Sequence, residues 1–322
     1  MKWIAKLIVA FCVMMGFQSM INAQENWPSK PIHLIIPFTV GGVQDGLSRS
    51  ISNDLAEVLG QPIIIENRVG AGGTVGTSYV AKSAPDGYNM VFAANNHNIN
   101  GTLYSKLNYH PIKDFTAVAQ VGKTSYILAI SSSLPVKNVD EFIALVKSKP
   151  GQFNYSSAGV GSSSHLGMAY FNGIAGLEMV HIPLKGTGDA LNELLSGRVQ
   201  ALVGANNVLL PFNKDPRIRL IGVTSEKPSP FVAGVPAIST SLKGFVYDSW
   251  VGFLAPAGIP KPIINKFYDS LTRVLKRPEV IERLAKDGLE IQPLASEEFT
   301  QVLQTDFEKM SKVVQVSGAK VD

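Results

Sequence analysis

Two glycines that directly follow an apolar run are the residues in this chain best placed to bind an anion. The run Ile32–Ile36 predicts a strand, Gly41 and Gly42 predict a turn, and apolar residues at every fourth position up to Leu59 predict a helix. The first N–H groups of a helix have no partner within it, and the helix dipole makes that end partly positive. A carboxylate or phosphate could therefore bind here without an arginine.

A second segment of this type lies at 157–165. Small residues and hydroxyls follow a predicted strand at 154–157, and the apolar residues beyond them have helical spacing. Ser162 and Ser163 could each donate a hydroxyl to a carboxylate or instead cap the helix. We expect one of the two to contact a ligand.

Other chemistries fit these residues less well. Ser163 and His165 are two positions apart, so at a helix start their side chains point in different directions and direct activation of the serine is not favoured. The five histidines show no paired metal-ligand spacing. Val75 stands where a dinucleotide fingerprint needs its third glycine. We expect His165 to be a packing or helix-end residue.

Residues 1–23 have the pattern of an export signal. Lys2 and Lys6 precede an apolar run, and Ala23 stands at the expected cleavage site. The run is shorter than the roughly 20 residues that span a bilayer. The single cysteine, Cys12, lies inside this run, so the mature chain contains no disulfide. We predict a cleaved signal peptide and a periplasmic protein.

The charge balance of the mature chain excludes a polyanionic partner. The sequence has 29 basic and 25 acidic residues, and loss of Lys2 and Lys6 lowers the formal charge from +4 to +2. Nucleic-acid binding would need a strongly basic surface, so no nucleic-acid partner is predicted. About 300 residues are enough to bury two cores, and we expect two lobes.

The predicted elements alternate between strands and helices, which is typical of an α/β fold. Lobe 1 is predicted from 24–125 together with 249–322, and lobe 2 from 126–248. The chain then crosses twice between the lobes, and two crossings can act as a hinge. Further strands are predicted at 63–65, 90–94, 126–130, 179–182, 201–204 and 220–223, and further helices after Gly73 and Asn138 and at 189–195, 262–276, 279–286 and 296–316.

Polar residues follow several of the predicted strands. Parallel sheets bind ligands outside the carboxyl ends of their strands, so the loops at Thr39, Gly72 and Asn95 are predicted to share one rim. That rim would form one half of a cleft.

Taken together, these landmarks resemble the periplasmic substrate-binding proteins of tripartite tricarboxylate transporters, the Bug family. The resemblance extends over almost the whole mature chain and depends on many short motifs in the same order. They are Trp27-Pro28, Pro37-Phe38, Gly41-Gly42 with Asp45, Gly60-Gln61-Pro62, Glu66-Asn67-Arg68, Gly70 to Gly73, Pro85 to Tyr88, Leu103-Tyr104, Lys113-Asp114-Phe115, Ser157 with Gly159, Gly161-Ser162 and His165, His181-Ile182-Pro183, Lys185-Gly186, Val223-Thr224-Ser225 and Ala255 to Gly258.

The resemblance implies a type II, two-lobe binding protein with a sheet in each lobe and a double-crossover hinge. It further implies no catalytic duty, no cofactor and no metal, with a small carboxylate captured between the lobes and delivered to membrane permease subunits; a monomer is expected. The resemblance implies binding by 39–45 and 157–163. Together with the other loops, the predicted ligand-binding residues are Phe38, Thr39, Val40, Gly41, Gly42, Gln44, Asp45, Gly72, Asn95, Asn96, Ser157, Gly159, Gly161, Ser162, Ser163, His165, Thr187, Asn206 and Asp248.

The chain departs from the family pattern in the first loop, where Thr39-Val40 and Val43-Gln44 replace the more common prolines and small residues. Asn206 and Asn207 add amide groups, so we infer a ligand with a second polar group. Two alternatives remain open at this stage. One is an exported hydrolase or transferase that uses Ser163 and His165, and the other is a sensor that presents its ligand to a signalling partner.

Overall fold

The computed structural model describes residues 27–319, which form two α/β lobes with a cleft between them. The predicted signal peptide at 1–23, including Cys12, lies outside the described residues. Among residues 27–319, none of the helices has both the length and the apolar character needed to cross a membrane.

The first sheet contains three parallel strands and three antiparallel ones. β1 is parallel to both β2 and β3, whereas β9 is antiparallel to β3 and β4, and β10 is antiparallel to β4. These strands are β1 (Ile32–Ile36), β2 (Ile63–Asn67), β3 (Asn89–Ala94), β4 (Phe115–Ser131), β9 (Asp248–Pro256) and β10 (Leu289–Leu294).

The second sheet is built on the last residues of β4. There β4 is antiparallel to β7 and β8, and β5 is parallel to β6 and β7. The strands are β5 (Phe153–Ser157), β6 (Met179–Pro183), β7 (Ala201–Ala205) and β8 (Ile218–Val223). The predicted strand positions are therefore confirmed, whereas β9, β10 and the first part of β4 were not predicted as strands from the sequence.

Helices cover both sheets, and local signals set several of their ends. α1 ends at Gly60, which adopts the left-handed backbone that glycine favours, and the Asn138 side chain caps α4 by accepting from Glu141 N. The helices are α1 (Val43–Leu59), α2 (Thr74–Ala81), α3 (Asn96–Leu103), α4 (Val139–Ser148), α5 (Ser163–Ala175), α6 (Thr187–Leu195), α7 (Asn206–Leu209), α8 (Lys261–Val274), α9 (Pro278–Lys286) and α10 (Ser296–Ser317).

Strand β4 runs without interruption through both sheets. Its partners change from β9 and β10 to β7 and β8 at Ser125–Tyr126. At this point Tyr126 and Thr224 are joined by backbone and hydroxyl hydrogen bonds, and Tyr247 N donates to the Thr224 carbonyl where the chain returns. The change of partners supports the predicted lobe boundaries, which remain a proposal.

The C-terminal helix packs against residues of both sheets. Phe299 and Leu303 of α10 belong to an apolar cluster with Trp250 and other residues of the first sheet, whereas Met310 and Val313 pack with residues of the second sheet and α5. Helix α10 therefore connects the two lobes in addition to the two chain crossings.

Gly122 marks a close contact that leaves no room for a side chain. A Cβ there would lie 2.2 Å from the Glu290 carbonyl oxygen, on the neighbouring strand β10. We predict that Gly122→Ala lowers the free energy of unfolding by about 1 to 3 kcal/mol, because backbone must shift to make space. Urea unfolding with an unchanged m-value would measure the loss.

The matched control is Gly46→Ala in α1, where a Cβ would meet nothing within 4 Å. Alanine is the better helix former by about 1 kcal/mol, so this variant should be as stable as the parent or slightly more so. Equal stability of the two variants would contradict the close-contact interpretation.

Candidate ligand-binding cleft

A cleft of about 480 Å³ lies where the loops of both lobes face each other. The ends of β1 and β3 and the loop before α2 form one wall, the loops before α5 and α6 form the other, and β4 and β9 contribute the floor. The predicted residues that line it are Phe38, Thr39, Gln44, Gly72, Asn95, Asn96, Gly161, Ser162, Ser163 and Thr187. The sequence thus predicted loops of both lobes that meet in one cavity.

The first loop is a tight turn between β1 and α1. Gly42 N donates to the Thr39 carbonyl at 3.1 Å, and Gly41 has a φ of 80°. Thr39 faces the cleft, whereas Val40 is 72% exposed and lies outside the cleft lining.

Asp45 holds this loop in place from the first turn of α1. It is only 2% exposed, and its carboxylate accepts from Gly41 N, Asn67 Nδ2 and Arg49 Nε at 2.9 to 3.0 Å. The hydrogen bond from Arg49 is the main cause that lowers the Asp45 pKa to about 2. Asn67 Nδ2 also donates to the Phe38 carbonyl, so the loop is tied to both α1 and β2. Asp45 therefore supports the cleft wall without lining the cleft.

The glycine-rich loop before α2 approaches the first loop closely. Gly72 and Gly73 have φ values of 63° and 95°, and a Cβ on Gly73 would lie 3.1 Å from the Phe38 ring. The Gly72 carbonyl accepts from Asn100 Nδ2 at 2.9 Å. Glycine is required at these positions because a side chain would enter the cleft wall.

Side-chain amides cover the end of β3 and the start of α3. Gln44 Nε2 donates to Asn96 Oδ1 at 2.9 Å, which joins the two amides across the wall. Asn95 is buried, and its backbone N–H donates to Ser249 Oγ at 3.2 Å on the neighbouring strand β9. This wall offers both donors and acceptors.

The opposite wall is the segment that leads into α5. Ser162 caps this helix, since its Oγ accepts from His165 N at 3.3 Å, and Ser164 Oγ accepts from Ala158 N at 2.9 Å. The N–H groups of Ser163 and Ser164 belong to the first turn, where a helix provides no acceptor for them. Ser163 is thus the serine of this segment that is best placed for a ligand.

Two buried tyrosines lie at the floor of the cleft. The rings of Tyr126 and Tyr247 are 5.3 Å apart, and burial raises the pKa of both hydroxyls, while the Ser163 hydroxyl beside them acts in the opposite direction. Tyr126 lines the cleft, and the Tyr247 hydroxyl is buried with no hydrogen-bond partner within residues 27–319. Both hydroxyls remain protonated at neutral pH.

The cleft lining carries no formal charge. Among residues 27–319, those that line it include no Asp, Glu, Lys, Arg or His. Several helix starts face it instead, and two of them, α3 and α5, have no acidic residue in their first turn, whereas α1 contains Asp45 and α6 contains Asp189. An anion here would be held by helix dipoles and hydrogen bonds, and at α3 and α5 no first-turn carboxylate opposes it.

The remaining predicted residues support the cleft or lie away from it. Ser157 and His165 are buried beneath the second loop, and Asn206 Nδ2 donates to Ser125 Oγ and the Gly288 carbonyl, at the junction of the lobes. The predicted residues that do not line the cleft are Val40, Gly41, Gly42, Asp45, Ser157, Gly159, His165, Asn206 and Asp248.

Asp248 lines a different cavity of about 470 Å³, between α10 and the strands β4 and β9. It pairs there with Lys309 at 3.0 Å. Asp306 lies in the same cavity and accepts from Trp250 Nε1, and burial raises its pKa to about 6. This cavity faces the helix that connects the lobes and is separate from the cleft.

Sequence reasoning missed several cleft residues. Thr124, Tyr126 and Ser249 line the floor, because β4 and β9 converge there from distant parts of the chain. Asn100 follows Asn96 by one helical turn and also lines the cleft. A helical interpretation of the segment after Asn95 would have identified Asn100.

The two-lobe fold and the uncharged cleft define a solute-binding protein. The chain belongs to the TctC family, the tripartite tricarboxylate transporter family receptors, whose family model matches residues 47–319. This family consists of periplasmic solute-binding proteins, which are not enzymes, so the exported hydrolase or transferase is excluded.

Relatives support the same assignment. The protein BugT of Bordetella pertussis is 28% identical over 98% of this chain and 97% of its own length. A Rhodopseudomonas palustris protein solved with bound malate is 31% identical, with a TM-score of 0.76 over 89% of this chain and 100% of that one. An R. palustris protein solved with adipate is 29% identical, with a TM-score of 0.81 over 92% and 100%. The resemblance to the Bug family is confirmed.

The role of Asp45 in supporting the cleft wall can be tested by measuring stability as a function of pH. Its folded pKa of about 2 lies below the ordinary 3.8, so the stability that it contributes is present above pH 4 and lost as the pH falls towards 2. We predict that Asp45→Asn lowers the free energy of unfolding by roughly 1 to 2 kcal/mol at pH 6, and that this difference disappears near pH 2. Urea unfolding from pH 2 to 6 would measure it.

Asp215→Asn is the matched control, because Asp215 has a similarly lowered pKa but pairs with Arg217 on the surface. Solvent screens this pair, so the control should change stability much less than Asp45→Asn. A pH-independent loss for Asp45→Asn would contradict the assigned role.

Proposed function

We propose that this protein captures a small carboxylate in the cleft between its lobes and delivers it to membrane permease subunits of a tripartite tricarboxylate transporter. The observation that carries the proposal is the uncharged cleft, which is lined by the first residues of helices from both lobes, α3 and α5. A carboxylate can be desolvated there because charge-assisted hydrogen bonds replace its water. The malate and adipate found in two relatives are ligands of this chemical class.

The proposed anchor for the carboxylate is the start of α5. Ser163 combines a first-turn N–H group with a hydroxyl in the cleft, while Ser162 and Ser164 are engaged in holding the loop. The amides of Gln44 and Asn96 on the opposite wall are proposed to bind a second polar group of the ligand.

Binding is proposed to favour the closed arrangement of the lobes. Only when the lobes are together do the Asn96 wall and the Ser163 wall both reach one small molecule, so the ligand binds this state better than an open one. An affinity in the micromolar range corresponds to about 8 kcal/mol. The signal peptide at 1–23 is proposed to place the mature protein, as a monomer, in the periplasm.

The experiment is a ligand screen on protein that has been unfolded, stripped and refolded. We predict that calorimetry with a panel of mono- and dicarboxylates, including malate and adipate, identifies at least one acid that binds. Native mass spectrometry of the freshly purified protein should find an acid of the same class. If every acid in the panel fails and no anion co-purifies, the carboxylate proposal is wrong.

The anchor is tested by Ser163→Ala with the acid identified in that screen. Loss of a hydrogen bond to a charged group should weaken binding about 10- to 100-fold. Ser196→Ala is the control, since this serine is exposed at the end of α6 and its hydroxyl donates to the Glu193 carbonyl. Unchanged affinity of Ser163→Ala would move the anchor elsewhere in the cleft.

A further inference from the structure

A stack of three aromatic rings lies directly behind the second cleft loop, 158–164. The imidazoles of His165 on α5 and His181 on β6 are 4.0 Å apart and nearly parallel, and the ring of Tyr155 on β5 lies 4.9 Å from His181. His165 is 6% exposed and does not line the cleft. The stack therefore contacts the loop from the side opposite to the ligand.

Both imidazoles are tied to glycines of the loop. Gly161 N donates to His165 Nδ1 at 3.1 Å. His181 Nε2 lies 2.6 Å from Ser157 Oγ, which accepts from Gly159 N at 3.1 Å. A backbone N–H can only donate, so His165 Nδ1 is unprotonated and the ring is neutral with its proton on Nε2.

The surroundings keep the two rings neutral. Burial lowers the His165 pKa to about 4, with a further contribution from His181, and burial also lowers the His181 pKa. The titratable groups that face His165 are His181 from β6 and Tyr155 from β5. If both imidazoles were protonated, two like charges would stand 4.0 Å apart.

The support from the imidazoles adds to the hydrogen bonds that Ser162 and Ser164 make within the loop. Gly159 and Gly161 have φ values of 115° and 77°, and neither has a side chain that could fix the backbone. The hydrogen bond to His165 directs the Gly161 N–H away from the cleft and sets the path of the chain into Ser162 and Ser163.

We propose that neutral His165 is a positioning residue, which orients the ligand-binding loop by accepting the Gly161 N–H group. The link to affinity rests on the proposed function, whereas the link to loop conformation does not. A residue that served only to fill space would be replaceable by any ring of similar size. A positioning residue is replaceable only by a side chain that also accepts this hydrogen bond.

The variants are chosen to separate these two roles. His165→Phe keeps a ring in the stack but removes the acceptor, whereas His165→Asn removes the ring but can place an amide oxygen near the former Nδ1. The control is His110→Phe, because His110 Nδ1 accepts backbone N–H groups of Ile112 and Lys113 in a turn that does not line the cleft.

The first measurement needs no ligand. NMR of ligand-free wild-type protein should show the His165 imidazole titrating with a pKa well below 6.5, and the Gly161 amide resonance should move with the same midpoint. In His165→Asn that midpoint should be absent from the Gly161 resonance. If the Gly161 amide shift of the wild type does not change when His165 is protonated, the proposal is wrong, whether or not any acid binds.

The second measurement uses adipate as the probe in calorimetry. We expect His165→Phe to weaken binding about tenfold and His165→Asn to stay within about threefold of wild type at pH 7. As the pH falls from 6 to 4, affinity should decrease more for wild type than for His165→Asn; the ratio between the two removes the titration of adipate itself. His110→Phe should bind as wild type does.

Equal losses in His165→Phe and His165→Asn would overturn the proposal, since they would indicate packing alone. If circular dichroism shows that His165→Phe does not fold, the affinity of His165→Asn and the pH titration still test whether His165 positions the loop. If adipate does not bind the wild-type protein, the ligand screen tests the proposed function, and the NMR titration tests separately whether His165 positions the loop.

Discussion

An anion that leaves water must be met by hydrogen-bond donors, and this requirement governs the architecture of the cleft. A lysine or arginine would satisfy it with one strong charge, but the lining contains neither within residues 27–319. The donors are instead backbone N–H groups at helix starts, together with hydroxyls and amides, so each one has to be aimed by the fold. Asp45 serves this purpose on one side, since its carboxylate fixes the Gly41 turn to α1 and β2.

The same requirement explains why glycines and buried polar residues accumulate around the cleft. Gly72 and Gly73 let the backbone approach Tyr104 and Phe38 where a side chain would collide. The buried hydroxyls of Ser157 and Thr224 bond to backbone groups next to the loop and to the chain crossing, respectively. Local hydrogen bonds of this type restrict the backbone where the glycines would otherwise allow it many conformations.

Many helices and strands could be predicted from the spacing of apolar residues. Helix α1, for example, has one apolar face and ends at a glycine. Strand β10 was missed because Pro293 interrupts it, although Glu290 and Gln292 alternate with its apolar residues as they do in a half-buried strand. The first part of β4 was missed because Gln120, Gly122 and Lys123 break the apolar run. For the site, loops next to strand ends were predictable, but the floor was not. Tyr126 and Ser249 meet only because β4 and β9 pair across a long separation in sequence, which no local spacing reveals.

Helix α10 has a mechanical consequence. Its first half packs with Trp250 and its last turns pack with α5, where Gly173 leaves space for the Val316 side chain. The two lobes are thus joined by helix α10 in addition to the two chain crossings. Opening of the cleft would require α10 to slide or tilt over α5, so this helix limits how far the lobes can separate.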